Sequence, residues 1–221
     1  MKLFLKIKMY IFLRMNNIFL KRMNKEVMLY QTDNFTFPNL IIQPSDSLDV
    51  WYFLIYDLKD TPYENGLYLG KVLLPGNYPF KAPDFVFLTE SGRFHINNKI
   101  CTSFSGFHND LFSPAWNIAS MCSGLVSFMT DNTNKQESKG IGGIYELPDD
   151  DIKIIAKDSI EKMFKNPIFI KHFKELYKGP KPDIKEEIVK KPEPEIIKEE
   201  IIEEHPIKPK RKYTKRKPKP T

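Results

Sequence analysis

The chain has few of the residues that could build a disulfide scaffold or a structural metal site. Its 221 residues include two cysteines, Cys101 and Cys122, and four histidines. Two cysteines are too few for the several bridges that stabilise small disulfide-rich domains. They are also too few for a structural zinc site, because the histidines do not stand at the spacings that such sites use. We therefore expect no metal site, no cofactor and an intracellular compartment.

The sequence also lacks an uninterrupted apolar stretch of the roughly 18 residues that a membrane-spanning helix needs. The first 20 residues are apolar but carry four basic residues, namely Lys2, Lys6, Lys8 and Arg14. The unbroken apolar region and small-residue cleavage site of a signal peptide are missing as well. Residues 1–17 are an N-terminal extension with three open interpretations: a basic amphipathic surface segment, a segment packed on the domain, or a region before a true start at Met15 or Met23.

The net charge of the chain is +6, but the part before residue 181 has little excess of basic residues. After residue 180 there are thirteen Lys or Arg and nine Asp or Glu residues, a surplus of four that leaves about +2 for the rest. A nucleic-acid-binding domain usually carries its basic surplus on the folded surface. The near balance before residue 180 therefore argues against such a domain.

Residues 179–221 have the composition of a disordered tail. They contain eight of the seventeen prolines, many charged residues and almost no aromatic ones. Such a segment cannot bury enough apolar surface to offset the entropy of ordering. Residues 208–219 carry eight Lys or Arg and no acidic residue. Three interpretations stay open for this end: a nuclear localisation signal, a weak contact with nucleic acid or another anionic surface, and a solubilising extension.

Between these ends, the pattern predicts an α+β domain that starts with a helix. Over residues 18–33, apolar side chains recur with a helical period, and they are Phe19, Met23, Val27 and Tyr30. Lys21, Arg22 and Lys25 fall toward the other face of the predicted helix.

Four short runs rich in β-branched and aromatic residues follow, "NLIIQPS", "VWYFLIYDL", "GLYLGKVLLP" and "DFVFLT". Segments rich in Pro, Gly, Asp and Asn separate them, which predicts a four-stranded antiparallel meander. Residues 91–114 then show little periodicity and much polarity. An irregular stretch of that length in a compact domain is usually functional, and this one contains Cys101.

Helical periodicity returns after this loop. In "SPAWNIASMCSGLVSFM" one face collects the apolar residues Trp116, Ile118, Met121, Cys122, Leu125 and Phe128. Pro114 suits the first turn of that helix, because no backbone donor is lost there. A second helical segment begins with three aspartates at 149–151, which interact favourably with a helix N-terminus. Asn166 and Pro167 are expected to break that segment into two helices.

The sequence resembles the ubiquitin-conjugating (E2) enzymes in three motifs that follow one another along the chain. They are "NYPFKAPDFVFLT", "GRFHINNKIC" and "FSPAWNIASMCSGLVSFM". The segment "TPYENGLY" fits the same family. The resemblance is greatest to the Ubc6-like branch, whose better-known members sit at the endoplasmic reticulum membrane through a C-terminal anchor. We expect the charged tail of residues 179–221 to stand in place of that anchor. The resemblance implies the UBC fold over residues 18–178, with an N-terminal helix, a meander sheet, an active-site loop and C-terminal helices.

Cys101 matches the catalytic position of the family. The resemblance implies that its thiolate accepts ubiquitin from an activating enzyme (E1) as a thioester and passes it to an acceptor. From residue type alone, a buried inert cysteine is the alternative, and Cys122 on the apolar helix face fits that role. In "HIN", Asn97 matches the asparagine thought to stabilise the oxyanion, although Asn98 could substitute for it. A loop-structural role is the alternative for Asn97.

His108 lies seven residues after Cys101, in "SGFHND", which resembles a phrase of the same branch with Asn109 where proline is usual. Its imidazole could deprotonate an incoming lysine, serine or threonine, or it could hold the loop by a hydrogen bond. Asp110 could orient His108 or cap a turn. Most family members use acidic residues after the helix for acceptor activation, and "TDNTNKQESKG" offers no clear counterpart.

The resemblance also implies two protein-binding surfaces. The surface for a ligase (E3) would consist of two loops with Tyr78, Pro79, Phe80, Phe112, Ser113, Pro114 and Ala115. The surface for E1 would be the basic face of the first helix, with Lys21, Arg22 and Lys25. For the first ligase loop, the alternative is a rigid turn that packs against the sheet. For the basic helix face, the alternative is an ordinary solvated surface.

The leading hypothesis is therefore an E2 ubiquitin transferase with ubiquitin, E1, an E3 ligase and a protein substrate as partners, located in the cytoplasm, the nucleus or both. The alternatives are a noncatalytic E2-like ubiquitin-binding protein, a basic-tailed nucleic-acid-binding protein, and a Cys-His hydrolase. Noncatalytic E2-like proteins normally lack the cysteine that this sequence has. The sequence contains no motif for reading nucleic acid, and it offers no convincing third catalytic residue for a Cys-His hydrolase.

Overall fold

Four antiparallel strands lie side by side in chain order in a computed structural model that describes residues 18–31, 37–131, 140 and 142–182. They are β1 (Leu40–Pro44), β2 (Val50–Tyr56), β3 (Leu67–Leu73) and β4 (Asp84–Phe87). The register pairs Ile42 with Phe53, Phe53 with Gly70, and Gly70 with Phe87. The predicted four-stranded meander is confirmed.

Four α-helices accompany the sheet in the described part of the chain. They are α1 (Ile18–Gln31), α2 (Ile118–Thr130), α3 (Asp149–Phe164) and α4 (Pro167–His172). A 3-10 helix, Gly106–His108, lies in the long loop between β4 and α2. The predicted break between α3 and α4 is confirmed, and Asn166 explains it: its side chain accepts hydrogen bonds from the backbone of Ile168 and Phe169, which caps α4. Together these elements confirm the α+β class.

The start of α2 differs from the expectation. Pro114 was expected in its first turn, but the helix begins at Ile118. Asn117 and Ser120 form a capping box: the Asn117 side chain accepts from the Ser120 backbone at 2.7 Å, and the Asn117 backbone donates to the Ser120 hydroxyl at 3.2 Å. This reciprocal pair satisfies two backbone donors at the helix N-terminus, so residues 112–116 are free to form a separate turn.

Both faces of the sheet are buried, which explains why β2 is almost wholly apolar. Phe53 belongs to a core cluster that includes Met23 of α1 and Cys122 of α2. Leu54, the next residue, belongs to a second cluster with Phe169 of α4. Alternate side chains of a strand point to opposite faces of its sheet. Each fully buried large apolar side chain contributes about 1.5–3 kcal/mol.

The two ends of the predicted domain organisation lie outside the described residues. The proposed extension, 1–17, and the tail from residue 183 onward belong to the parts whose structure is not described. The predicted disorder of the tail therefore stays a prediction. Of the helices described, none combines the length and the apolar character needed to cross a membrane.

Candidate active site

The segment that carries Cys101 runs antiparallel to β4. Lys99 forms a bridge with Val86, and the Ile100 backbone donates to the Phe85 carbonyl at 3.0 Å. Because Phe85 and Ile100 are buried, this short pairing anchors the backbone immediately before the cysteine. Cys101 itself is half-buried, at the point where this pairing ends.

A glycine pair holds the other edge of the same segment. The Cys101 backbone donates to the Gly142 carbonyl at 3.0 Å, and the His95 backbone donates to the Gly143 carbonyl at 2.9 Å. Gly142 and Gly143 have φ of +41° and +76°, values that side-chain-bearing residues rarely adopt. A Cβ at Gly142 would lie 2.3 Å from that of Cys101. Gly142 and Gly143 are not among the residues predicted from the sequence, although the motif "GIGG" is a usable signal for a close backbone approach.

Cys101 and His108 contact each other directly. The Cys101 Sγ lies 3.1 Å from the His108 Nε2. The 3-10 helix places the imidazole there, because the His108 backbone donates to the Ser105 carbonyl at 3.0 Å. The Ser105 hydroxyl in turn accepts from the backbone of Thr102 and donates to its carbonyl. The loop between cysteine and histidine is thus closed by its own hydrogen bonds.

Asn109, which follows His108 where related sequences usually have proline, forms a structural hydrogen bond. Its side-chain oxygen accepts a hydrogen bond from the Ala82 backbone at 2.8 Å. The Gly106 backbone donates to the Pro83 carbonyl at 3.0 Å. These two bonds fasten both ends of the 3-10 helix to the residues that precede β4.

Burial raises the pKa of the Cys101 thiol. The thiol rather than the thiolate is therefore the main form at neutral pH, and nucleophilic attack requires removal of its proton. The imidazole of His108 stands at hydrogen-bond distance from the sulfur, which is the geometry that a general base needs.

Asn97 is positioned by its backbone. It has φ of +62°, a left-handed conformation that asparagine tolerates better than most residues, and its N–H donates to the Phe87 carbonyl at 2.9 Å. Its side chain is exposed. Within the described residues, no hydrogen bond joins that side chain to Cys101 or His108. The oxyanion role of Asn97 therefore stays a prediction.

Cys122 is a core residue. It is fully buried on α2, and burial together with the nearby charge of Glu26 raises the pKa of its thiol far above the usual range. A thiol without solvent access cannot meet a protein substrate, so the structure leaves Cys101 as the accessible cysteine.

A buried ion pair joins α1 to both predicted ligase loops. Arg22 donates to the Glu26 carboxylate at 2.7 Å, and the two side chains are 13% and 3% exposed. Arg22 also donates to the carbonyls of Pro114, at 2.6 Å, and Trp116. Glu26 accepts from the Tyr78 hydroxyl at 3.0 Å and from the Ile118 backbone at 3.1 Å. Arg22 therefore points into this network, whereas Lys21 and Lys25 are exposed.

The predicted ligase-binding residues divide into exposed and buried groups. Phe80, Pro114 and Ala115 are exposed, Ser113 is half-buried, and Tyr78, Pro79 and Phe112 are buried. Leu111, which is not among the residues predicted from the sequence, precedes Phe112 and is 57% exposed. The rings of Tyr78 and Phe112 pack against each other beneath these residues, with their centroids 6.4 Å apart. The exposed residues can contact a partner directly, whereas the buried ones support the loops.

The described residues contain no group of three or more His, Cys, Asp or Glu side chains that could hold a metal ion. The chemistry that this site offers is that of a half-buried thiol with an imidazole nitrogen at 3.1 Å.

Comparison with known proteins places this site in a family. The family model described as "Ubiquitin-conjugating enzyme" matches residues 22–144. The "Ubiquitin-conjugating enzyme E2 6" of Eremothecium gossypii is 34% identical over 189 residues, which cover 85% of this chain and 73% of that protein. The protein of the same name from Schizosaccharomyces pombe is 38% identical over 135 residues, 61% of this chain and 57% of its own length.

A further relative is the "Ubiquitin-conjugating enzyme E2 J2-like" protein of Dictyostelium discoideum. It is 34% identical over 136 residues, which cover 61% of this chain and 76% of that protein. The matched region of the family model spans more than half of the chain and includes the sheet, Cys101 and His108. This chain belongs to the family of ubiquitin-conjugating enzymes (E2), which are ubiquitin transferases, and its α+β architecture is the UBC fold.

Proposed function

We propose that this protein carries ubiquitin as a thioester on Cys101 and transfers it to a lysine, serine or threonine of a protein acceptor. The observation that carries the proposal is the 3.1 Å contact between the Cys101 Sγ and the His108 Nε2 on an E2 fold. The donor complex is ubiquitin bound to E1, and an E3 ligase brings the acceptor. We assign Lys21 and Lys25 to the E1 surface, and Phe80, Pro114 and Ala115 to the ligase surface, because these side chains are exposed.

In the loading step, His108 takes the proton of the Cys101 thiol while the sulfur attacks the C-terminal carbonyl carbon of ubiquitin on E1. The new C–S bond forms as the C–S bond to the E1 cysteine breaks, and the E1 thiolate leaves. In the discharge step, His108, which has released its first proton to solvent, takes the proton of the acceptor nitrogen or oxygen as that atom attacks the same carbonyl. The bond from the acceptor to the carbonyl carbon forms, the C–S bond breaks, and the Cys101 thiolate leaves. Asn97 is the donor that we assign to the oxyanion formed in that step.

Loading is tested by incubating the full chain with E1, ATP and ubiquitin and comparing gels run with and without reductant. We expect a reductant-sensitive adduct that Cys101→Ala abolishes and that Cys101→Ser converts to a reductant-resistant oxyester. Cys122→Ala is the matched control, because its sulfur is buried in the core; it should load like the wild type. Absence of an adduct while another E2 loads in parallel would contradict the proposal.

The role of His108 is tested by the pH dependence of loading. His108→Gln keeps a polar side chain near the sulfur but removes the base, so we expect slower loading at pH 7 and partial recovery relative to the wild type toward pH 9.5, where a larger fraction of the thiol ionises without a base. Discharge to free serine should stay slow at both pH values, since a hydroxyl does not ionise there. A loading defect that is constant across pH would instead indicate a purely structural histidine.

We further propose a cytoplasmic or nuclear location and a weak, nonspecific contact of the basic end, residues 208–219, with nucleic acid or another anionic surface. The support is the sequence composition of that end, which has eight basic and no acidic residues. Binding to a random DNA duplex should fall steeply with salt and disappear on deletion of these residues. Binding that is insensitive to salt would contradict this proposal.

A further inference from the structure

An ion pair stands beside the proposed thioester site and has no role in the steps above. The Lys99 Nζ lies 2.6 Å from the Asp84 Oδ2, and the two side chains are 56% and 23% exposed. Lys99 precedes Cys101 by two residues, and Asp84 is the first residue of β4.

The strand register places both groups on the side of Cys101. Lys99 is bridged to Val86, and the Ile100 backbone bonds to Phe85. Continuing this antiparallel register by one step sets Asp84 opposite Cys101. Side chains two residues apart on a strand share a face, and directly opposed residues share it too. The side chains of Lys99, Asp84 and Cys101 therefore project to one side.

Asp84 also abuts the loop that carries His108. A Cβ placed at Gly106 would lie 2.6 Å from the Asp84 Oδ1, so the carboxylate rests directly against the first residue of the 3-10 helix. The carboxylate is thus held between the strand of Cys101 and the helix of His108, with the Lys99 ammonium bonded to it.

A lysine in this place is a competing acceptor for any acyl group on Cys101. Intramolecular reactions between groups held close together are accelerated relative to the same reaction in free solution, because the entropy of bringing the reactants together is already lost. Only the neutral amine can attack, however, and an amine bonded to a carboxylate as an ammonium has no free lone pair. The Asp84 carboxylate therefore opposes the reaction that proximity favours.

We propose that Lys99 is a self-modification site, an intramolecular acceptor for the ubiquitin carried by Cys101, and that Asp84 restrains this transfer. The inference rests on the proposed thioester function. In the step, Lys99 leaves the carboxylate and loses a proton to solvent. Its nitrogen then attacks the thioester carbonyl. An isopeptide N–C bond forms, the C–S bond breaks, and the Cys101 thiolate takes up the second proton of the amine through His108. The isopeptide product is stable to reductant and leaves ubiquitin attached two residues before Cys101.

The test uses the full chain loaded with E1, ATP and ubiquitin, with loading then stopped by EDTA. Thioester is measured on non-reducing gels, reductant-resistant adduct on reducing gels, and the modified lysine by peptide mass spectrometry. Asp84→Asn removes the charge that holds Lys99. Lys99→Arg keeps a cation for Asp84 but no reactive amine. Asp46→Asn is the matched control, because Asp46 forms an ion pair of similar length, 2.7 Å, with Lys171 of α4.

We expect Asp84→Asn to speed formation of the Lys99 adduct by about two- to fivefold, the range for release of an exposed ion pair, and Lys99→Arg to abolish it in the same background. Asp46→Asn should match the wild type. Thioester without any adduct on Lys99 in Asp84→Asn would overturn the inference and leave the proposed function standing. Absence of thioester in the wild type would overturn both. If Asp84→Asn is poorly folded, the wild type decides the question by its total reductant-resistant adduct on reducing gels. A decrease of that adduct in Lys99→Arg would support the inference, and an equal amount in Lys99→Arg would refute it.

Discussion

Replacement of the buried Glu26 is expected to destabilise the protein and to loosen both predicted ligase loops. The perturbation is Glu26→Gln, which keeps the size of the side chain but removes its charge. Glu26 accepts from three donors: Arg22 and Tyr78 on one oxygen, at 2.7 and 3.0 Å, and the Ile118 backbone on the other, at 3.1 Å. A glutamine has one acceptor oxygen, so its amide NH₂ must face one of these donors.

The magnitude follows from these bonds. If the glutamine oxygen serves Arg22 and Tyr78, the first backbone donor of α2 at Ile118 loses its acceptor. A buried bond to a charged group is worth about 1.5–3 kcal/mol, and the two bonds that remain become neutral on the acceptor side and weaken. Arg22 also loses its counter-charge, but it is 13% exposed and keeps its bonds to the carbonyls of Pro114 and Trp116, so this loss adds only a small part of the about 3–5 kcal/mol that breaking a fully buried pair costs. We expect the free energy of unfolding to fall by about 2–4 kcal/mol.

Urea unfolding followed by tryptophan fluorescence measures this change, since Trp116 lies in the affected loop and Trp51 in the core. Lys25→Gln is the matched control, because Lys25 is an exposed charge on the same helix. It should change the free energy of unfolding by no more than about 0.5 kcal/mol. A loss below about 1 kcal/mol for Glu26→Gln would refute the argument that this carboxylate holds the loops together.

Three further predictions concern the site and its supports. The pKa of Cys101 is raised by burial, so the thiolate fraction at neutral pH is reduced, and the rate of alkylation by iodoacetamide should still be rising at pH 9; a plateau by pH 7 would show the opposite shift. Gly142→Ala forces a clash with Cys101 and should slow loading by more than tenfold. Gly140→Ala is the control, because φ is positive there too, at +84°, but an added Cβ would meet nothing within 4 Å, so loading should not slow; equal loading by both variants would count against the clash. The buried hydroxyl of Ser159 accepts from the Leu67 backbone at 2.8 Å, so Ser159→Ala should lower the free energy of unfolding by about 1–3 kcal/mol in the urea assay, and an unchanged midpoint would contradict this.

The elements of this fold follow from local patterns. The alternation of apolar runs with Pro, Gly and Asn turns predicted the four strands, and Asn166 with Pro167 predicted the break between α3 and α4. These features depend on backbone preferences within a few residues, which are visible in the sequence itself. The start of α2 was misplaced because two local signals compete there, and the capping box of Asn117 and Ser120 prevails over Pro114.

The candidate site was recognised only in part. Cys101 and His108 stand seven residues apart in one loop, so their proximity could be expected, and the structure brings them into contact. The inward direction of Arg22 could not be expected, because its acceptor at Pro114 lies 92 residues further along the chain. The role of Gly142 likewise depends on a chain segment 41 positions beyond Cys101 returning to its edge.

The ion pair of Lys99 and Asp84 is likewise visible only in the tertiary structure. Each looks like an ordinary surface charge in the sequence, and each could have faced solvent alone. Only the antiparallel pairing of their segments joins them and places both beside Cys101. The preference of a segment for helix or strand depends largely on near neighbours in the chain, so the sequence could reveal it. The surroundings of the cysteine are set by side chains from distant segments, whose meeting depends on how the whole core packs.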